Sequence, residues 1–251
     1  MRIHPIVADL KRHRVIKKMR VLAIGAHPDD LEINCGGTLA KYVKLGHEVV
    51  MAYVTNGDMG HFYIQPEEMA KIRKEEARRA SRVIGGKFMW LGLPDEWVFH
   101  DQKTRLIFID MIREARPDVI ITHDPDDYHP DHVTVSELVF AASFLATVPH
   151  IITKHNFLEK LPAIFYMDTY TGVGFLPDDY VDITMEIDKK LEALSQHKSQ
   201  VEWLKKHDRI DILDYARTSA RFRGFQAGVT FAEAFKKLKN RPGVYARGAL
   251  P

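Results

Sequence analysis

Two short segments, far apart along the chain, carry histidines and aspartates at spacings that suit a metal ion. His27 and Asp30 lie in the first segment, and His132 lies in the second, at the start of a predicted helix. A histidine and an aspartate three residues apart can turn towards one cation, and a second histidine completes a set of two histidines and one carboxylate. Such a set leaves coordination positions open for water and substrate, which is typical of a catalytic metal. The donor types alone fit Zn²⁺, Fe²⁺, Mn²⁺ or Co²⁺.

The first segment has two simpler interpretations. Aspartates cap helices and favour the positive end of the helix dipole, so that Asp29 or Asp30 can be explained without a ligand. Capping does not explain why His27 precedes them at the end of an apolar run. A dinucleotide-binding loop is the other alternative, but Pro28 has no N–H to donate and the two carboxylates would repel a pyrophosphate. We therefore set the nucleotide interpretation aside.

The second segment is ambiguous when it is read alone. Asp124, Asp126 and Asp127 fit turn chemistry, and they also fit a second metal ion. His129 and His132 are three residues apart at a helix start, so both can face one pocket. One of them then serves as a metal ligand and the other as a proton donor or an electrostatic clamp.

Composition narrows the class of protein. The 251 residues include 36 Lys and Arg against 34 Asp and Glu, and a formal net charge of +2 gives no long-range attraction for nucleic acid or an anionic membrane. Cys35 is the only cysteine, which excludes an intrachain disulfide and a cysteine-based zinc knuckle. Met1–Met19 is basic without the apolar core of a signal peptide, and Val133–Val148 is too short and too interrupted to span a bilayer. We therefore expect a cytoplasmic protein without a membrane span that acts on a small neutral substrate.

The elements that must position these residues alternate between strands and helices. Apolar runs predict strands at Arg20–Ala26, His47–Val54, Lys87–Leu93, Asp118–Thr122 and Ala163–Met167, with Val181–Thr184 as a late edge strand. Amphipathic patterns predict helices at Gly37–Leu45, Glu67–Ile84, Leu106–Ala115 and Pro130–Ala146, and three C-terminal helices at Glu186–Lys205, Ile210–Ala220 and Thr230–Lys239. This alternation predicts an α/β protein with a Rossmann-like, doubly wound, mostly parallel sheet and extra C-terminal helices.

A strand order of 3-2-1-4-5 brings the two segments together. Strands one and four are then neighbours at the point where the order reverses, and ligands bind there at the carboxyl ends of the strands. The predicted organisation is a single domain at residues 19–240, with a basic N-terminal extension at 1–18 and a C-terminal tail at 241–251.

Motifs along roughly residues 19–240 resemble those of one known family. They are Ala26-His27-Pro28-Asp29-Asp30, Gly36-Gly37-Thr38, Thr55-Asn56-Gly57-Asp58, Arg73 with Glu76-Ala77, His129-Pro130-Asp131-His132, His197-Lys198-Ser199-Gln200 and Phe231-Ala232-Glu233-Ala234-Phe235. In these motifs the chain is similar to the LmbE-like, or PIG-L, zinc de-N-acetylases, which act on N-acetylglucosaminyl compounds. The resemblance implies that His27, Asp30 and His132 bind zinc, while Asp29 is not a ligand and serves as the general base.

The resemblance also implies roles around the metal. His129 stabilises the oxyanion, and Asp131 orients His129 and favours its protonated form. Arg73 resembles an arginine that contacts sugar hydroxyls in the family. Arg78 and Arg79 lie on the same predicted helix, and a solvated helix face is the alternative interpretation for any of the three.

The predicted function is hydrolysis of the acetamide of an N-acetylglucosamine-type sugar or conjugate. Family members often assemble, so the helices after Thr184 are candidates for the subunit face of a homo-oligomer. Tyr63, Trp97 and Phe99 are candidates to stack on a sugar ring, although such aromatic residues are more often core or interface residues. The alternatives are another mononuclear metalloenzyme with the same ligands and a non-catalytic module that binds a sugar or a metal.

Overall fold

The computed structural model describes residues 18–241 and 248–251, and its strands form one sheet. The strands are β1 (Arg20–Gly25), β2 (Glu48–Thr55), β3 (Lys87–Leu93), β4 (Val119–Thr122), β5 (Ala163–Met167), β6 (Asp179–Asp182) and β7 (Ala232–Lys237). The helices are α1 (Asp30–Asn34), α2 (Gly36–Lys44), α3 (Pro66–Ile84), α4 (Gln102–Ala115), α5 (Pro130–Leu145), α6 (Ile187–Leu194), α7 (Lys198–His207) and α8 (Ile212–Ala227). The sheet order β3-β2-β1-β4-β5-β7-β6 confirms the predicted order 3-2-1-4-5 and extends it by two strands.

Helices cover both faces of the parallel strands, which explains their continuous apolar sequences. On one face, α2, α3 and α6 pack around a cluster that includes Tyr42, Met51 and Phe165. On the other face, α4 and α5 pack around a cluster that includes Phe108 and Leu138. The core therefore lies in two layers, one on each side of the sheet.

β1 lies between β2 and β4, and this pairing positions the functional segments. Ala23 pairs with Met51 of β2 on one side and with Ile121 of β4 on the other, and both pairings are parallel. The carboxyl ends of β1 and β4 are therefore adjacent at the reversal of strand order. The sequence prediction that the two segments meet at this point is confirmed.

The predicted helix at Thr230–Lys239 is wrong, because Ala232–Lys237 forms strand β7. This strand pairs antiparallel with both β5 and β6. Alanine, glutamate and lysine favour helices, but pairing with neighbouring strands overrides such local propensities. The carboxylate of Glu233 also accepts the backbone N–H groups of Gly37 (2.9 Å) and Thr38 (2.7 Å), which anchors β7 to the start of α2.

The predicted helix Glu186–Lys205 is two helices, α6 and α7, with a break before His197. The side chain of His197 is fully buried, with Nε2 3.4 Å from a carboxylate oxygen of Glu32. The carboxylate of Glu76 accepts the backbone N–H of Ser199 at 2.8 Å and its hydroxyl at 2.7 Å. These contacts satisfy the first turn of a new helix and redirect the chain.

Smaller differences concern the ends of elements. Helix α4 begins earlier than predicted because the Asp101 side chain accepts the N–H of Thr104 at 2.8 Å, a typical N-cap. Helix α8 continues past Ala220 to Ala227, and Gly228 after it takes the left-handed conformation (φ 73°) common after helices. The predicted late edge strand is confirmed as β6, two residues earlier along the chain.

The described residues near the C-terminus bear on the predicted tail. The hydroxyl of Tyr42 donates to the carbonyl of Ala249 at 2.5 Å, so the end of the predicted tail lies against the core. Residues 1–17 of the predicted extension and 242–247 of the tail lie outside the described residues. Within the part that is described, no helix combines the length and apolarity needed to cross a membrane.

Candidate metal centre and active site

The three predicted metal ligands converge at the carboxyl end of the sheet. His27 follows β1, Asp30 begins α1, and His132 lies in the first turn of α5. His27 Nδ1 is 3.1 Å from His132 Nε2 and 3.5 Å from Asp30 Oδ2, and His132 Nε2 is 3.4 Å from Asp30 Oδ1. Ligand atoms about 2.0–2.1 Å from a tetrahedral metal stand about 3.3 Å apart. The spacing of these atoms therefore fits one metal ion.

A carboxylate lies behind each of the two histidine rings. His27 Nε2 is 3.2 Å from Asp95 Oδ1 and 3.5 Å from Asp131 Oδ2. His132 Nδ1 is 3.1 Å from Asp127 Oδ1. A metal-binding histidine usually donates its other ring N–H to a carboxylate, which fixes the tautomer and orients the ring. The arrangement directs His27 Nδ1 and His132 Nε2 towards the common point.

The same carboxylates favour positive charge on the rings. Burial alone lowers the pKa of a histidine, yet Asp131 and Asp30 outweigh it and raise the pKa of His27 well above its usual value. Against the same effect of burial, Asp30 and Asp127 raise the pKa of His132 to about 9. The pocket therefore stabilises a cation where the two rings meet, whether it is a proton or a metal ion.

His123 is the first residue after β4 and contacts the carboxylate of Asp30. Its ring stacks on that of His132 with centroids 3.9 Å apart. His123 Nε2 accepts the N–H of Ala26 at 2.8 Å and lies 3.2 Å from Asp30 Oδ2. Burial, together with the charge of His132, lowers the pKa of His123 to about 4, which favours a neutral ring. His123 therefore packs against His132 and Asp30 as an uncharged neighbour.

The sequence predictions gave no role to Asp95 or His123, and they named Asp127 only as a turn residue or as a ligand of a second metal ion. Each follows the end of a strand, as the predicted ligands do, and that position was the available signal. Asp127 also accepts the N–H of His129 at 3.1 Å, so the turn interpretation of this acidic segment is correct as well. The Asp127 carboxylate therefore both contacts the ring of His132 and stabilises the turn before His129.

Asp29 occupies the N-cap position of α1 but does not cap the helix with its side chain. It precedes α1 in a left-handed conformation (φ 116°, ψ −26°), and its side chain makes no capping hydrogen bond. Its carboxylate instead accepts a hydrogen bond from Arg73 Nη2 at 3.0 Å and lines the cavity of the site. Burial raises the pKa of Asp29 to about 6, against the opposing charge of Arg73.

His129 lies over the two histidine ligands but is held differently from the prediction. Its Nδ1 accepts the backbone N–H of Asp131 at 3.2 Å, which leaves Nε2 as the donor of the neutral ring. The Asp131 carboxylate is directed away from His129, towards the N–H groups of Glu96 (3.0 Å) and Val98 (3.4 Å) and the ring of His27. Burial and the neighbouring histidine charges lower the pKa of His129, so the structure does not favour the protonated form that was expected.

These residues open into a cavity of about 320 Å³. Leu204 of α7 and Ile210 and Ile212 at the start of α8 line its outer wall, so the C-terminal helices complete the site. Among the described residues, Tyr128 and Tyr170 line the cavity, whereas the predicted sugar-stacking residues are exposed outside it. Those residues are Tyr63, Trp97 and Phe99.

Comparisons with known proteins place the chain in a family. The family described as PIG-L, GlcNAc-PI de-N-acetylase, matches residues 22–143. A diacetylchitobiose deacetylase from Thermococcus kodakarensis is 30% identical over 239 residues, which cover 90% of this chain and 84% of the relative. The chain belongs to the PIG-L family. This result confirms the resemblance seen in the sequence motifs.

Solved structures agree with membership of the PIG-L family in fold. The N,N'-diacetylchitobiose deacetylase of Pyrococcus horikoshii superimposes with a TM-score of 0.78 at 27% identity, covering 90% of this chain and 88% of that one. GalB, a 4-carboxy-2-hydroxymuconate hydratase from Pseudomonas putida, superimposes with a TM-score of 0.77 at 21% identity over 89% of this chain and 98% of that one. The likeness to the hydratase shows the fold alone, because one fold hosts different reactions.

The PIG-L match covers one part of the cavity and not the other. Residues 22–143 include both histidine segments and Arg73. Tyr170, Leu204 and Ile212, which line the outer wall, lie beyond that range. The wall that faces away from the histidines is therefore built by residues outside the matched segment.

Proposed function

We propose that this chain is a metal-dependent N-deacetylase that hydrolyses the acetamide of an N-acetylglucosamine-type sugar. One observation carries the proposal: His27 Nδ1, Asp30 and His132 Nε2 lie within 3.5 Å of one another, beside the carboxylate of Asp29, which lines the same cavity. The named activity of the Thermococcus kodakarensis relative supports the substrate class.

In this proposal His27, Asp30 and His132 hold the metal, and Asp29 remains outside its ligand set. Zn²⁺ is the proposed ion, and the donors also suit Fe²⁺, Mn²⁺ or Co²⁺. When bound, such a metal polarises the acetamide carbonyl and lowers the pKa of water. The carboxylates behind the two rings keep the ligand nitrogens aimed at the ion.

Asp29 acts as the general base and then as the general acid. Its carboxylate accepts a proton from the attacking water as the new C–O bond forms at the acetyl carbon. It then donates that proton to the sugar nitrogen while the C–N bond breaks, so acetate and a free amine leave. A pKa of about 6 keeps Asp29 mostly ionised at neutral pH, yet close enough to return a proton.

His129 donates from Nε2 to the oxygen that becomes negatively charged during the attack. The hydrogen bond from the Asp131 backbone N–H to His129 Nδ1 holds the ring in that orientation. Arg73 lines the same cavity, and its contact with sugar hydroxyls stays a prediction. The cytoplasmic location and the homo-oligomer also stay predictions.

The function is tested with a panel of N-acetylated sugars. Zinc-loaded protein is incubated with N-acetylglucosamine, N,N'-diacetylchitobiose and N-acetylglucosaminyl inositol, and acetate and free amine are measured. We expect cleavage of at least one compound, loss of cleavage in Asp29→Asn, and unchanged cleavage in the control Asp126→Asn, whose side chain is exposed. Asp29→Asn with full activity would remove the base assignment, and no cleavage by zinc-loaded native protein would refute the deacetylase function.

A further inference from the structure

Asp29 has a strained backbone conformation that contacts with other residues must hold in place. Its φ of 116° lies in the left-handed half of conformational space, which a residue with a Cβ adopts only at a cost in free energy. Such a conformation persists only where the surrounding structure holds it. The carbonyl of Asp29 accepts the N–H of Ile33 at 3.0 Å, which fixes the start of α1 but not the side chain.

Arg73 contacts both the carbonyl that precedes Asp29 and the Asp29 carboxylate. Its Nη2 donates to the carbonyl of Pro28 at 2.5 Å and to the carboxylate of Asp29 at 3.0 Å. Its Nη1 donates to the carbonyl of Gly57 at 3.4 Å. With 4% of its surface exposed, Arg73 is largely sequestered by these protein contacts.

Two glycines make room for the guanidinium group. A Cβ on Gly57 or on Gly60 would lie 2.7 Å from atoms of Arg73. Gly57 also has a positive φ of 65°, whereas Gly60 has no such backbone requirement, so the space it leaves for Arg73 is the feature that a side chain would remove. The Gln200 side chain donates to the carbonyl of Gly60 at 3.0 Å and holds this segment in place.

We propose that Arg73 is a positioning residue that holds Asp29 in its strained conformation, with the carboxylate directed into the cavity. The inference rests on the proposed function, because Asp29 is the general base of that reaction. It differs from the prediction that Arg73 recognises sugar hydroxyls. A group that binds substrate equally in ground and transition states affects KM, whereas a group that orients the base affects kcat.

The first test displaces Arg73 without changing any charged residue. In Gly60→Ala the added methyl group would lie 2.7 Å from Arg73 Nη1 and 3.1 Å from Gln200 Nε2, both at the ends of flexible side chains, so the guanidinium is displaced while the fold is preserved. We expect kcat to fall by about 100-fold in both Gly60→Ala and Arg73→Gln, as for other small misplacements of catalytic groups. KM and bound zinc stay close to native values. The double variant is no slower than Arg73→Gln alone, because both changes remove the same contact.

Arg79→Gln is the matched control, because Arg79 is exposed on the same helix. Its kinetics match those of the native protein. Addition of guanidinium ion restores part of kcat in Arg73→Gly and none in Asp29→Asn. A raised KM with native kcat in Arg73→Gln or Gly60→Ala would overturn the positioning role and favour sugar recognition.

A second readout does not depend on activity. Crystal structures of the native protein and Arg73→Gln give the φ angle of Asp29 directly. We expect Asp29 to leave the region near 116° in the variant. Native protein that cleaves no N-acetylated sugar refutes the proposed function alone, while an Asp29 that keeps this φ without Arg73 refutes the positioning role alone.

Discussion

At the scale of single residues, the proposed metal site depends on carboxylates outside the proposed set of ligands. Asp127 lies behind His132, and Asp95 and Asp131 lie behind His27, each within 3.5 Å of the ring nitrogen that faces away from the cation. These contacts set the tautomers and increase the basicity of the ligands. Substitution of these carboxylates should therefore change the metal affinity, although none of them is a proposed ligand.

Asp127→Asn tests this dependence directly. The substitution preserves size but removes the negative charge behind His132, so we expect the zinc dissociation constant to rise by about 10- to 100-fold. Competition with a fluorescent zinc chelator measures the change. Asp126→Asn is the matched control because its side chain is exposed on the same loop. Equal affinity in Asp127→Asn and native protein would show that the carboxylate has no such role.

Proton competition gives a second expectation at this scale. The pKa of His132 is raised to about 9 and that of His27 is raised well above its usual value, so protons compete with a metal ion for these ring nitrogens at neutral pH. A metal ion must displace these protons. We expect zinc affinity to increase with pH through the neutral range, because fewer protons then compete for the two rings. Calorimetry in buffers of different ionisation enthalpy should detect proton release, and binding without proton release would contradict the account.

The sequence predicted the reacting residues better than the residues that hold them. His27, Asp30 and His132 stand out because their types and spacing suit a cation, whereas the role of Asp29 as the base was implied by the family resemblance. The contacts behind the rings depend on the loops after β3 and β4, whose paths no local pattern specifies. The Asp131 carboxylate contacts His27 rather than His129 for the same reason.

At the scale of elements, the last strand holds the first helices in place. Glu233 of β7 accepts the N–H groups at the start of α2, and Lys190 of α6 donates to Glu233 at 2.5 Å and to the carbonyl of Ile33 in α1 at 2.7 Å. Glu233 and Lys190 are both almost fully buried. Because α1 carries Asp30, this ion pair links the C-terminal part of the chain to the metal site.

Glu233→Gln should destabilise the fold strongly. Removing one partner of a buried ion pair leaves the other charge without compensation, and such changes cost about 3–5 kcal/mol. Urea-induced unfolding measures the loss, with Glu192→Gln as the control because the Glu192 side chain is exposed on the same helix as Lys190. Adding Lys190→Met to Glu233→Gln should restore part of the stability, because it removes the uncompensated charge. A loss below about 1 kcal/mol in the single variant would contradict the importance of this pair.

The order of the parallel strands was predictable, and the antiparallel strand was not. Continuous apolar runs and the alternation with helices identify β1 to β5 and their order. Phe231 to Lys239 has a composition that suits a helix, and only its place between β5 and β6 makes it a strand. The break between α6 and α7 is likewise set by distant contacts of His197 and Ser199.

At the scale of the whole molecule, one sheet brings together two chemically incomplete segments. Neither segment has enough ligands alone, and the adjacency of β1 and β4 unites them. The fold by itself does not determine the reaction, since a hydratase shares it. The relative that is 30% identical and the arrangement of Asp29 beside the three ligands make deacetylation the best supported reaction.

The proposed site, shared by the two segments, works with one metal ion per chain. The most direct measurement removes metal with a chelator, titrates zinc back into the protein, and follows acetate release from the best cleaved sugar. We expect negligible activity without metal, a linear rise with added zinc, and a plateau at one ion per chain. Full activity in the metal-free protein would contradict this expectation.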